Sequence, residues 1–105
     1  MPIKKEIEEK DKKIISFQTT PKMSTYLLYF AAGELEFLEG KYNNIDIRIV
    51  TTPRKSKNGK FALDLTIKFL KFFEEYSKIP YPLPKLDMIA VPDFEAGAME
   101  NWGAI

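Results

Sequence analysis

The hydrophobic period of this chain changes once, across "TTPRKSKNGK" (Thr51 to Lys60), and that change limits the folds open to it. Before it, apolar residues alternate or run together as in strands. After it they recur at spacings of three and four, as on one side of a helix. The chain therefore reads as α+β: antiparallel strands first, then a buried helix, then further strand.

In the first half, "KIISFQTT" from Lys13 alternates, with Ile15, Phe17 and Thr19 on one face, and "STYLLYFAAG" follows as a more continuously apolar run. Both are expected to be strands, the second more deeply buried. "GELEFLEGKYNNIDIRIV" places Leu35 and Phe37 on one face, and Ile45, Ile47 and Ile49 on one face of the segment after it. With Gly40 to Asn44 between them, these form a hairpin with a turn of about five residues. Glu34, Glu36, Asp46 and Arg48 take the opposite faces, as in an antiparallel sheet with one wet side.

Pro53, Asn58, Gly59 and the basic residues among them mark 53–60 as a solvated linker. From Phe61, "FALDLTIKFLKFFEEYSK" sets Ala62, Leu65, Phe69, Phe72, Phe73 and Tyr76 in one stripe, with Leu63, Ile67 and Leu70 beside it. This predicts a helix buried on more than one side. It ends at "IPYPLP", where Pro80 biases Ile79 away from helical geometry and the alternating prolines remove amide donors. "KLDMIAV" then reads as an interior strand, stopped by Pro92.

Charge and composition exclude several functions. Sixteen basic against fifteen acidic residues leave a net charge of +1, so no global field favours nucleic acid or an anionic membrane. No apolar run approaches the roughly 18 residues of a membrane span, and "MPIKKEIEEKDKK" has no signal-peptide apolar region, which makes the cytoplasm the expected compartment. The chain contains no Cys and no His. Disulfides, thiol catalysis, imidazole bases and the commonest zinc ligands are thereby excluded, leaving carboxylates, Lys, hydroxyls and backbone for any chemistry. The Lys-rich, Cys-free composition hints at a heat-loving source.

The segment "DFEAGAMENWGAI" is poor in strand formers between Glu95 and Ala98. One reading is a loop between strands, with Met99 and Trp102 packed inward. The other is a peptide-binding edge, where Gly97 admits a close ligand backbone and Glu100 meets a cationic group at its end. Spacing alone leaves both open.

"GAMENWG" resembles the G-x-M-E-N exopeptidase motif of the aminopeptidase N-like zinc metallopeptidases, a family that includes the puromycin-sensitive aminopeptidases. "TTPKMSTYLL" and "FFEEYSKIPYPLPKLDMIAVPDF" extend the resemblance over nearly the whole chain. It implies peptide substrates with a free N-terminus. Gly97, Ala98 and Met99 would form the strand beside the substrate backbone, and Glu100 would grip its α-ammonium. Asn101 and Trp102 also match the motif, with backbone positioning and packing as much in view for them as direct contact. Residues 1–52 would be the last strands of an N-terminal β domain, 53–60 a linker, and 61–105 the start of a thermolysin-like catalytic domain.

The same resemblance implies a zinc held by H-E-x-x-H and a more distant Glu, none of which lies in this chain, so no catalytic or metal-binding residue is expected in it. The expectation is a fragment of a larger aminopeptidase, inactive alone. Two alternatives stand beside it: a non-catalytic module that captures peptide N-termini, and an assembly role with self-association through exposed apolar surface.

Overall fold

The computed structural model describes all 105 residues and has an α+β architecture. Strands β1 (Ile3–Glu9) and β2 (Lys12–Phe17) form an antiparallel hairpin of their own. Strands β3 (Glu36–Tyr42), β4 (Ile45–Thr51) and β5 (Lys85–Ile89) form a second sheet in that order, with β3 antiparallel and β5 parallel to β4. A parallel return needs a crossover, and helix α1 (Lys60–Ser77) supplies it. Short 3₁₀ turns lie at Thr25–Leu27 and Ser56–Gly59.

Alternation along β4 organises the core. Ile45, Ile47 and Ile49 share a face with Leu86 of β5 and meet Leu63 and Leu70 of α1. Each such side chain contributes about 1.5–3 kcal/mol when removed from water. Close approach of the helix depends on two glycines: a Cβ on Gly40 would lie 2.8 Å from Leu63 Cδ1, and one on Gly59 would lie 2.8 Å from Ile49 Cγ2. The helix stops where the prolines predict, with Lys78 left-handed at φ 59° and its amide donating to the Glu74 carbonyl.

Several expectations are corrected. "STYLLYFAAG" forms no strand; it contains a single 3₁₀ turn, only Leu27 is buried, and Phe30 is 82% exposed. Its apolar side chains have no second layer to pack on. The β3–β4 turn is two residues long, because the ladder runs through Gly40 to Tyr42↔Ile45 and Asn43, at φ 52°, makes the reversal. Glu36 is not on the wet face: it shares a side with Leu38 and Gly40, and its carboxylate accepts from the Ser56 amide at 3.4 Å. Amides of the Arg54–Ser56 turn hold its pKa below the usual carboxylate value.

Helix α1 is buried on one side only. The sheet takes the Leu63, Ile67 and Leu70 stripe, whereas Phe69, Phe72, Phe73 and Tyr76 are exposed and pack ring against ring, Phe72 stacked on Tyr76 and edge-on to Phe73, with Phe69 tilted against Phe73. Strand β1, unassigned from sequence, pairs with β2 although nearly every side chain on both is exposed; an ion pair between Lys13 and Glu6 links them. Strand β5 is interior in hydrogen bonding, since Gly103–Ile105 occupies its second edge.

Candidate functional site

Beyond β5 the chain reverses twice. Asp93 is left-handed at φ 54°, and the Gly97 amide donates to the Phe94 carbonyl at 3.3 Å. Gly97 itself has φ 77°, with no atom within 4 Å of where a Cβ would stand, so the glycine serves backbone conformation rather than packing. Gly97, Ala98 and Met99 therefore form no strand, contrary to the sequence expectation. The left-handed residue interrupts the extended run, and these three residues join no ladder in this chain.

Glu100 is exposed, and its carboxylate takes part in none of the intrachain ion pairs. Asn101 is buried, and its Nδ2 donates to the Leu27 carbonyl at 3.1 Å. The Ala104 amide donates to the Asn101 carbonyl at 3.1 Å, closing a turn in which Gly103 has φ 71°. Trp102, on that turn, is half exposed rather than packed inward.

These residues border an apolar cavity of about 650 Å³. Gly97, Ala98, Met99 and Asn101 lie on its wall together with Tyr26 and Phe94; Glu100 is not part of that lining. The cavity can accept an apolar side chain, while an exposed carboxylate one residue away can accept hydrogen bonds from a cation.

Behind this segment, on the sheet face opposite α1, lies an ionic cluster. Arg48 grips Asp87 through two bonds, Nε to Oδ1 at 2.8 Å and Nη2 to Oδ2 at 2.6 Å, and Lys85 Nζ donates to Oδ2 at 2.6 Å. Burial pushes the Asp87 carboxyl up, but the bonds from Arg48 and Lys85 more than offset this, and its pKa lies below the usual range. Burial, then the Asp87 charge, pushes Tyr81 up to about 12. The Met1 amine is held low by burial and by Lys85. Sequence reading missed Lys85, Asp87 and Leu27. Alternation does put Lys85 and Asp87 on one face of β5, but their meeting with Arg48 depends on the parallel register, which no local pattern shows.

No group of three or more His, Cys, Asp or Glu is placed to hold a metal ion. With neither imidazole nor thiolate in the chain, the donor set does not fit a zinc site.

Residues 61–105 match the model of the Peptidase family M1 domain. The whole chain is similar to "Probable aminopeptidase 2" of Sulfurisphaera tokodaii, at 51% identity over 105 residues, covering 13% of that protein. It is likewise 51% identical over 105 residues to "Aminopeptidase 2, mitochondrial" of Saccharomyces cerevisiae, covering 11% of it. Over 101 residues it is 50% identical to "Tricorn protease-interacting factor F2" of Thermoplasma acidophilum, covering 96% of this chain and 13% of that protein. The expected likeness to the aminopeptidases is thus found along the full 105 residues, which span about an eighth of such relatives' length.

Proposed function

We propose that these residues are a stretch of a larger zinc aminopeptidase of the M1 peptidase family, one that removes N-terminal residues from peptides. The observation that carries this reading is the position of "GAMENWG": it borders an apolar cavity and leaves Glu100 exposed, free of intrachain partners, in a chain aminopeptidase-like throughout. Glu100 receives the substrate's α-ammonium, a charge-assisted bond worth about 1.5–3 kcal/mol that an internal peptide bond cannot make. Gly97, Ala98 and Met99 lie along the substrate backbone, and the cavity takes an apolar side chain.

Residues 1–52 are proposed as the last strands of an N-terminal β domain and 61–105 as the start of a thermolysin-like catalytic domain. On that division the two meet in one continuous sheet, because β4 and β5 pair across 53–60. No helix is long and apolar enough to cross a membrane; the cytoplasm is proposed as the compartment. Zinc, which in this family supplies water activation, would be held by residues outside these 105, and the chain alone should not hydrolyse peptides. The coding DNA beyond residue 105 provides the test. An H-E-x-x-H in the continuing frame supports the reading, and a long continuing frame without one contradicts it.

A further inference from the structure

The ionic cluster behind the site has one contact that charge pairing does not require. Arg48 alone gives Asp87 a bidentate partner, yet Lys85, whose side chain is only 11% exposed, also reaches Asp87 and then donates from the same Nζ to the Gly103 carbonyl at 2.8 Å. An ammonium has three donors and a buried one needs them occupied. The second partner Lys85 takes is the backbone of the turn that follows Glu100.

That turn is also in direct contact with β5. A Cβ on Gly103 would stand 3.2 Å from the Lys85 carbonyl oxygen and 3.0 Å from Leu83 Cδ1, so the left-handed glycine lets the turn lie flat against the strand. The Asp87 amide donates to the Gly103 carbonyl at 3.1 Å, and the Ile105 amide donates to the Asp87 carbonyl at 2.9 Å. Gly103 O thus accepts from both the Asp87 amide and the Lys85 ammonium. On the far side of the same turn, Asn101 is bonded to Leu27.

We infer that Lys85 is a positioning residue for the Glu100 segment: held by Asp87, which Arg48 anchors in turn, it fixes the Asn101–Ala104 turn from behind through the Gly103 carbonyl and so sets the direction in which Glu100 is presented. Lys85 itself touches no ligand. The functional half of this inference rests on the reading of Glu100 as the amine-binding carboxylate; the clamp itself does not.

Nuclear magnetic resonance on the 105-residue chain tests the clamp. In the unsubstituted protein, the Lys85 ammonium should give its own resonance with scalar coupling to the Gly103 carbonyl carbon. An ammonium exchanging freely with water, without that coupling, overturns the inference whether or not any variant folds. In Lys85→Met, amide exchange at Asp87 and Ile105 should quicken at least tenfold while that in the β3–β4 ladder stays unchanged, and Lys85→Arg should restore most of the protection. Unchanged exchange, or equal acceleration everywhere, means that Lys85 has no selective hold on the turn and overturns the inference.

In the full-length enzyme, Lys85→Met should weaken inhibition by leucinamide about tenfold; unchanged inhibition rejects the positioning role. Glu100→Gln measured alongside separates the two failures. If it leaves inhibition intact, the amine-binding reading falls and with it the functional half of the inference, while the exchange data still decide the clamp.

Discussion

Asn101 donates from its side-chain amide to the Leu27 carbonyl at 3.1 Å, a buried bond between residues 74 positions apart. It ties the Tyr26–Leu28 wall of the cavity to the turn beyond Glu100. Asn101→Leu leaves that carbonyl without its donor, and a buried unpaired polar group costs about 1–3 kcal/mol. Denaturant unfolding should show a loss of this size. A midpoint equal to that of the unsubstituted chain would mean that water replaces the bond freely.

Gly59 precedes α1 at an ordinary φ of −76°, so alanine there suffers no backbone strain. Its Cβ would nevertheless stand 2.8 Å from Ile49 Cγ2 and 3.1 Å from Ile49 Cβ, atoms too near the β4 backbone to swing aside. Gly59→Ala should destabilise by about 1–3 kcal/mol through overpacking. Thermal unfolding checks this, and an unchanged or raised Tm would contradict it.

Two groups give opposite pH limbs. The Asp87 pKa is depressed in the folded state, so its contribution is complete above the ordinary carboxylate range and is lost as pH falls through the folded value. Tyr81 is raised from its ordinary 10.0 to about 12, so its contribution is complete below the ordinary value and is lost as pH rises toward the folded one. Tm measured across acid and alkaline series should fall at both ends. Asp87→Asn should flatten the acid limb and Tyr81→Phe the alkaline one.

The exposed ring cluster on α1 predicts self-association of the isolated chain. Phe72 lies 5.3 Å from Phe73 and 6.0 Å from Tyr76 between ring centroids, and all three are more than half exposed. A contiguous patch of this kind favours burial against another surface. Sedimentation should show concentration-dependent association, reduced by Phe72→Glu. A chain that stays monomeric at millimolar concentration would count against this.

What the sequence made legible was period and punctuation. The α1 boundaries, the Ile45–Ile47–Ile49 face and the stop at "IPYPLP" all follow from local pattern, because each depends on neighbours within a few residues. The stripe of α1 that meets the sheet was not legible. Both candidate stripes are apolar, and the choice falls to Leu63, Ile67 and Leu70 because they face β4 and Gly40 admits Leu63. "STYLLYFAAG" has strand composition but no strand beside it, so propensity yields to the lack of a pairing partner. At the site, the motif marked Gly97 to Asn101. The contacts that hold it, Asn101 to Leu27 and Lys85 to Gly103, join distant positions and are visible only once the chain is folded.

Glu100 is proposed to bind the free amine of a peptide. Steady-state kinetics of Glu100→Gln in the proposed full-length aminopeptidase decide this. Losing a charge-assisted bond of about 1.5–3 kcal/mol should lower kcat/KM for free-amine substrates by about ten- to hundredfold. Inhibition by amine-bearing analogues should weaken in parallel. A kcat/KM equal to that of the unsubstituted enzyme would contradict the assignment of Glu100.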